Sequence, residues 1–220
     1  MTRLLAIDWL PGSVCRWAAL PLAVERGELP AAEAALVADT AERRRSHFIA
    51  GRSCARAALA ALGLPDAVIG RSPEGAPCWP SAHVGSIAHC GAAAVAIAAP
   101  EREWIALGID IEIDRPLADD AASYVLGDDE RRRCAALPGG LARWALPAFS
   151  AKECVHKCLQ PLLGLHLGFD EVAITFEADD RFLVEPRSLR AEAAFAGHRW
   201  RGELRRHDGL LFSLLGGRPA

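Results

Sequence analysis

The most regular hydrophobic pattern in the chain lies between Trp104 and Ile113, where apolar residues alternate with small or acidic ones. This period of two predicts a β-strand with three isoleucines on one face and Asp110 and Glu112 on the other. The two Cα atoms are then about 7 Å apart, so each carboxylate raises the pKa of the other unless a cation lies between them. A ligand set of oxygens alone favours Mg²⁺. The alternative is a solvated strand face.

A helical period appears further along the chain. Apolar or small residues recur three and four positions apart from Ala148 to Leu162, which predicts one buried face of a helix. Glu153 and Lys157 lie off this face, one turn apart. They are either a surface ion pair worth about 0.3 kcal/mol or a functional pair. In the second case Glu153 is a further carboxylate for the ion or a general base, and Lys157 meets developing negative charge.

The remaining pattern predicts a mixture of helices and strands. A helix is expected from Ala41 to Leu62, where the Gly63-Leu64-Pro65 sequence ends it. The first forty residues predict short strands and loops. Further strands are expected within residues 81–99, 170–176, 182–185 and 210–215, and a helix is expected to begin near Asp128.

Composition fits a compact intracellular enzyme. A length of 220 residues suffices for one large domain or two fused halves of about 100 residues. The net charge of −3 gives no long-range attraction to nucleic acid or to an anionic membrane. Seven cysteines without CxxC pairs, in a chain with no recognisable signal peptide, predict buried reduced thiols. No apolar run is long enough to predict a membrane span.

Two local clusters carry further candidate chemistry. Cys154, His156 and Cys158 share one helix, which leaves a zinc site incomplete. On the earlier helix Arg45, Arg52 and Arg56 fall within an arc of about 60°. This basic stripe is either solvated or suited to a phosphate, because a guanidinium is a planar fork of donors.

The two main clusters together resemble the paired signatures of the 4′-phosphopantetheinyl transferases. The segments are Gly108-Ile109-Asp110-Ile111-Glu112 and Phe149-Ser150-Ala151-Lys152-Glu153 continuing to Lys157, in the family's order and at its separation. Segments 50–56, 71–80 and 85–89 are similar to the enterobactin-type branch of that family. The resemblance spans about Arg43 to Gly164.

The resemblance implies a fold of two similar α+β halves related by a pseudo-twofold axis. The N-terminal half, residues 1–107, would contact the coenzyme A nucleotide. The C-terminal half, residues 108–220, would carry the Mg²⁺-binding and catalytic residues. Two fused halves can build the active site between them within one chain, so we expect a monomer.

The resemblance also implies a reaction. The phosphopantetheine arm of coenzyme A would pass to a serine of an apo carrier protein, releasing adenosine 3′,5′-bisphosphate. Asp110, Glu112 and Glu153 would hold Mg²⁺, with Glu153 also the candidate base and Lys157 the group that stabilises the departing phosphate. The implied coenzyme A contacts are Arg45, Arg52, Arg71, His89, Lys152 and Lys157. Arg52 would hold the 3′-phosphate, and the family usually has serine or threonine where this chain has Ala88.

The expected acceptors are carrier domains of nonribosomal peptide, polyketide or fatty acid synthases, including siderophore synthesis, in the cytoplasm. One alternative is another Mg²⁺-dependent phosphotransferase or a nucleotide hydrolase, although the chain lacks a Walker-type loop. The other is a non-catalytic binding module with the same fold. The presence of all three acidic residues and the lysine argues against that module.

Overall fold

A computed structural model describes residues 5–7, 9–20, 29–177 and 179–219. Its strands are β1 (Leu5–Ile7), β2 (Val14–Ala19), β3 (Gly70–Arg71), β4 (Pro77–Cys78), β5 (His83–His89), β6 (Ala93–Pro100), β7 (Ala106–Ile113), β8 (Val172–Phe176), β9 (Arg181–Pro186), β10 (His198–His207) and β11 (Leu210–Pro219). Its helices are α1 (Ala31–Ala35), α2 (Glu42–Ala61), α3 (Asp119–Val125), α4 (Asp128–Ala136), α5 (Gly140–Leu163) and α6 (Leu189–Phe195).

Two antiparallel sheets form the centre of the molecule. One has the strand order β1-β2-β6-β5, and the other has the order β7-β11-β10-β9-β8. A shared core fills the space between them, where the rings of Trp17 and Phe212 meet edge to face at 5.6 Å. The edge strands β5 and β7 lie beside each other. The α+β fold class that the family resemblance implies is confirmed.

Each sheet carries one long helix on its outer face. The helix α2 packs on β6 through the small residues Ala94, Ala96 and Ala98, while the alternate residues of β6 enter the core between the sheets. The helix α5 packs on β7 and β11 in the same manner, with Ala151, Val155 and Leu159 of its predicted apolar face buried. The pseudo-twofold relation of the halves stays a prediction.

The predicted elements agree with the structure where the local pattern was strong. The expected helix at 41–62 is α2, and the expected strands correspond to β5, β6, β8, β9 and β11. The strand β10 and the helix α6 carried no clear signal. The segment of β10 is rich in arginine, and it forms a strand because it pairs with β11 along its whole length, from His198 opposite Pro219 to His207 opposite Leu210.

The structure bears on membrane-spanning helices and on the state of the cysteines. Within the described ranges, no helix combines the length and apolar character needed to cross a bilayer. All seven cysteines are free, as expected, and six are buried. Cys78 is the exception to the predicted burial, because it is exposed on β4.

Candidate active site

Asp110 lies at the contact between β7 and α5. This residue is only 5% exposed, so the alternative of a solvated strand face is wrong at Asp110, while Glu112 is half-buried. Ser150 Oγ donates a hydrogen bond to Asp110 Oδ2 at 2.7 Å, and Lys157 Nζ donates to Oδ1 at 2.6 Å. Both oxygens of the carboxylate are therefore held by donors from α5.

Gly108 makes this contact possible. A Cβ atom at this position would lie 2.1 Å from the Cys154 carbonyl oxygen and 2.9 Å from Cys158 Sγ. Only a residue without a side chain lets the backbones of β7 and α5 approach so closely. Gly108 thus brings Ser150 and Lys157 within reach of Asp110.

The three acidic residues share an excess of negative charge. Burial and the neighbouring Asp110 raise the pKa of Glu112 to about 7. Burial also raises the pKa of Glu153, with Lys157 acting in the opposite direction and Asp110 adding to the rise. For Lys157, burial acts to lower the pKa, but Asp110 and other neighbours raise it above its ordinary value. The strongest partner of Lys157 is Asp110, rather than the helical neighbour Glu153.

The donor set fits Mg²⁺. Three carboxylates and one ammonium carry a net charge of −2 when all are ionised, and every candidate ligand atom is an oxygen. In the part of the chain that the structure describes, no group of three or more His, Cys, Asp and Glu side chains is placed to hold a metal ion by itself. Mg²⁺ does not need such a group, since it usually binds one or two carboxylates together with waters and substrate phosphates.

A cleft of about 740 Å³ opens next to these residues. Its walls come from both halves, with Trp79 and Val84 on one side and Lys157 and His166 on the other. Its volume is in the range of small-molecule and cofactor sites. Among the four predicted metal and catalytic residues, only Lys157 lines the cleft, so it connects the acidic group to the space where a ligand would lie.

The structure gives Arg52 an internal role. Its side chain is 4% exposed, and it donates to the carbonyl oxygens of Ile69 and Gly70 at 2.5 and 2.9 Å. The guanidinium also lies over the ring of Phe48. These contacts fix the backbone that leads into β3, and they do not favour the expected contact with a 3′-phosphate.

Arg45, like Arg52, donates its hydrogen bonds within the protein. Its guanidinium donates to three backbone carbonyls, of Val37, Ala38 and Thr40, at 3.2, 2.7 and 3.1 Å. It thereby closes the turn before α2. Arg56, the third arginine of the stripe, pairs with buried Glu33 at 2.7 Å. The stripe is therefore neither simply solvated nor open to an anion, because it joins α2 to the preceding and following segments.

Lys152 also has internal partners. Its Nζ donates to Glu130 Oε2 at 2.6 Å and to the carbonyl oxygens of Val125 and Phe169 at 2.9 and 2.7 Å. An ammonium group has three donors, so all are used. Lys152 and Lys157 are the only lysines in the sequence, and each meets a buried carboxylate. The geometry favours a structural role for Lys152 over the expected coenzyme A contact.

Arg71 and His89 remain available to a ligand. Arg71 is exposed on β3, in the hairpin whose residues Pro77 and Cys78 line the cleft. His89 ends β5 at the surface, with its ring centroid 4.8 Å from that of His47. Partial burial and then His47 lower the pKa of His89, which favours a neutral imidazole.

Trp79 lines the cleft and also packs against the core beneath α2.

The cysteines of α5 do not form the zinc site that their spacing could suggest. Cys154 and Cys158 are buried. Their thiols donate hydrogen bonds to the carbonyl oxygens of Ser213 and Leu215, at 3.2 and 3.4 Å respectively. Burial raises the pKa of both thiols, which disfavours the thiolates that zinc requires.

Two residues of the site were missed by sequence reasoning. Ser150 stands in the quoted α5 signature, but nothing in the local pattern showed that its hydroxyl reaches Asp110. Glu130 accepts from Ile174 N at 2.8 Å as well as from Lys152, and so joins α4, α5 and β8. Its position near the start of α4 was the only local signal, and that signal is typical of an ordinary helix N-terminus.

Comparisons with known proteins agree with this geometry. Residues 32–99 match the family model of the 4′-phosphopantetheinyl transferase N-terminal domain, and residues 106–208 match that of the 4′-phosphopantetheinyl transferase superfamily. The chain is 38% identical over 170 residues to the 4′-phosphopantetheinyl transferase Npt of Nocardia iowensis, an alignment that covers 73% of this chain and 76% of the relative.

Two further relatives are similar over shorter shares of their length. The 4′-phosphopantetheinyl transferase Svp of Streptomyces mobaraensis is 40% identical over 149 residues, covering 67% of this chain and 61% of Svp. Enterobactin synthase component D of Salmonella typhi is 36% identical over 137 residues, covering 60% of this chain and 55% of that protein. The chain thus spans less than two thirds of the length of these two relatives.

Proposed function

The chain belongs to the 4′-phosphopantetheinyl transferase superfamily, whose members transfer phosphopantetheine from coenzyme A to carrier proteins, and on this basis we propose how its own residues perform that transfer. The observation that carries the proposal is the meeting of both signatures at Asp110, which Ser150 and Lys157 hold from α5. This acidic group lies next to a cleft that both halves line.

Glu153 is the proposed general base. The acceptor serine attacks the β-phosphorus of coenzyme A, a new phosphorus–oxygen bond forms, and the bond to the bridging pyrophosphate oxygen breaks. The serine proton passes to Glu153, whose raised pKa suits a base near neutral pH. Adenosine 3′,5′-bisphosphate is the leaving group. Lys157 stabilises the negative charge that develops on its phosphate, because its ammonium lines the cleft beside Asp110.

Asp110, Glu112 and Glu153 are the proposed Mg²⁺ ligands. When bound, Mg²⁺ would neutralise pyrophosphate charge and polarise the phosphorus. The support is the set of oxygen ligands. Burial raises the pKa of Glu112 and Glu153, and the neighbouring Asp110 adds to the rise, so a bound cation would favour their ionised forms.

Coenzyme A is proposed to lie in the cleft, with Arg71, His89 and Lys157 as contacts. A neutral imidazole at His89 can still donate one hydrogen bond to a phosphate oxygen. Arg45, Arg52 and Lys152 are better assigned to the framework, because backbone carbonyls or Glu130 already accept from their donors. Ala88 lacks the hydroxyl usual in the family, which leaves the neighbouring backbone and His89 to meet the phosphates.

Several wider expectations are proposed on the same basis. The acceptors are carrier domains of nonribosomal peptide, polyketide or fatty acid synthases, and the free cysteines fit the reducing cytoplasm. A monomer suffices because one chain supplies both walls of the cleft. We keep the proposed division after Leu107, close to the point where β7 begins at Ala106.

Intact-mass analysis of an apo carrier protein tests the proposal. Incubation with the enzyme, coenzyme A and Mg²⁺ should add the mass of phosphopantetheine, and omission of Mg²⁺ should prevent it. Asp110→Ala and Glu153→Ala should each lower the rate at least a hundredfold. Glu192→Ala, at an exposed glutamate of α6, is the matched control and should react like the wild type. Undiminished transfer by both site variants would reject these roles, and no transfer by the wild type to several carriers would favour a non-catalytic module.

A further inference from the structure

The hydroxyl of Ser150 has an unusual use for a serine inside a helix. Such hydroxyls commonly donate to the carbonyl oxygen one turn earlier on their own helix. Ser150 is 0% exposed, and its Oγ instead donates across to Asp110 Oδ2 on β7. A buried hydroxyl that makes no hydrogen bond is costly, so this contact is the energetically significant one for the side chain.

The contact defines the orientation of the Asp110 carboxylate. The last torsion of an aspartate side chain is broad, so a carboxylate without fixed partners rotates over a wide range. Ser150 holds Oδ2 at 2.7 Å, and this directs Oδ1 towards Lys157, the residue that lines the cleft. A neutral hydroxyl can do this without cancelling the negative charge of Asp110.

A second buried serine next to Asp110 provides the contrast. Ser213 lies directly opposite Asp110 in the register of β11 and β7, and it is also 0% exposed. Its Oγ has no hydrogen-bond partner in the described part of the chain. Of two equally buried serines beside the same carboxylate, only Ser150 holds it.

We propose that Ser150 is a positioning residue that fixes the plane of the Asp110 carboxylate, so that the second lone pair of Oδ1, the oxygen that also accepts from Lys157, is presented to a divalent cation. The inference rests on the proposed function, since it takes Asp110 as a metal ligand. Groups that hydrogen-bond to ligating carboxylates commonly change metal affinity by 10- to 100-fold when they are removed. Ser150 acts through Asp110 and touches neither coenzyme A nor the acceptor.

Binding of Mn²⁺ to the protein with coenzyme A present measures this role without using activity. The free Mn²⁺ signal in electron paramagnetic resonance gives the Kd, after subtraction of binding to coenzyme A alone. Ser150→Ala should raise the Kd about tenfold. Ser150→Cys keeps the shape of the side chain but is a weak donor, so it should raise the Kd as well. Ser213→Ala is the matched control and should leave the Kd within about twofold, because it removes a hydroxyl without a partner.

A kinetic measurement separates positioning from general stability. In Ser150→Ala and Ser150→Cys the Mg²⁺ concentration for half-maximal transfer should rise, while the rate at saturating Mg²⁺ changes little. A Kd that stays at the wild-type value in both variants overturns the inference. A rise in Ser150→Ala alone also overturns it, because the cause is then a packing defect.

Asp110→Asn distinguishes this outcome from failure of the proposed function. If wild type and Asp110→Asn bind Mn²⁺ equally well, Asp110 is not a metal ligand, and both proposals fail. If Asp110→Asn loses binding and the two Ser150 variants do not, only the role of Ser150 is rejected.

Discussion

Lys152 Nζ lies 2.6 Å from Glu130 Oε2, and both side chains are buried. This pair joins α4 to α5 directly before Glu153, the proposed base. Burial acts to lower the pKa of Lys152, and the bond to Glu130 opposes that effect. Lys152 belongs to the signature of α5, yet its chemistry is that of a structural cross-link.

Removal of one partner should therefore destabilise the protein strongly. Lys152→Met leaves Glu130 as an uncompensated buried charge, and we expect a loss of about 3–5 kcal/mol in the free energy of unfolding. Urea denaturation measures it. The double variant Lys152→Met/Glu130→Gln should lose less free energy of unfolding than the two single variants lose together. Arg132→Met, which breaks an exposed ion pair on α4, is the control and should cost under about 1 kcal/mol.

A wild-type stability for Lys152→Met, combined with a raised KM for coenzyme A, would contradict this interpretation. That result would return Lys152 to the ligand contacts that the sequence resemblance implied.

Arg52 should also act through stability. Arg52→Met leaves the carbonyl oxygens of Ile69 and Gly70 without their donors, and we expect a loss of about 3 kcal/mol in the free energy of unfolding. Arg44→Met, at an exposed position of the same helix, should change it by less than about 0.5 kcal/mol. If Arg52→Met unfolds like the wild type and only its KM for coenzyme A rises, the guanidinium contacts the phosphate after all.

Gly108→Ala tests the close contact of β7 and α5. The new Cβ would overlap the Cys154 carbonyl, so the helix must move away from the strand and from Asp110. We expect a loss of about 1–3 kcal/mol in stability together with a large fall in transfer rate. Gly127→Ala is the matched control, because no atom lies within 4 Å of a Cβ at that position. Equal behaviour of the two variants in unfolding and transfer assays would contradict this account of the glycine.

The pair of His156 and His166 should make stability depend on pH. Burial, and then the neighbouring His166, lower the pKa of His156 below its ordinary value of 6.5. In the pH window just below 6.5 the unfolded chain therefore binds a proton that the folded chain does not. His156 therefore contributes a fall in the free energy of unfolding as the pH is lowered through this window. Glu112, whose pKa is raised to about 7, contributes a rise in the same window, so the effect of His156 is the difference between the wild type and a variant without this histidine.

Urea denaturation between about pH 7.5 and 5.5 measures this dependence, since histidine titrates in that range. Between these pH values His156→Gln should become more stable relative to the wild type as the pH is lowered, whereas His198→Gln, at an exposed position of β10, should follow the wild type. A pH dependence of His156→Gln equal to that of the wild type would contradict this role of His156.

The sequence by itself determined the elements whose signals are local. The period of two around Asp110 and the helical period from Ala148 to Leu162 arise from side-chain directions within one strand or one helix. Burial follows the helical pattern of α5, whereas β7 is buried on both faces from Ala106 to Ile111, because the core between the sheets covers one face and α5 covers the other. The two signatures likewise identified the family, because they are contiguous in the chain.

Only the tertiary structure decided which partner each charged side chain meets. A helical wheel groups Arg45, Arg52 and Arg56, but it does not show that backbone carbonyls and Glu33 lie opposite them. Lys152 and Lys157 stand five positions apart on one helix, yet the first meets Glu130 on α4 and the second meets Asp110 on β7. Such partners are distant in the sequence, and the role of a charged group depends on what surrounds it after folding. The packing of α5 on β7 therefore decided that Lys157 belongs to the candidate site and that Lys152 belongs to the structural framework.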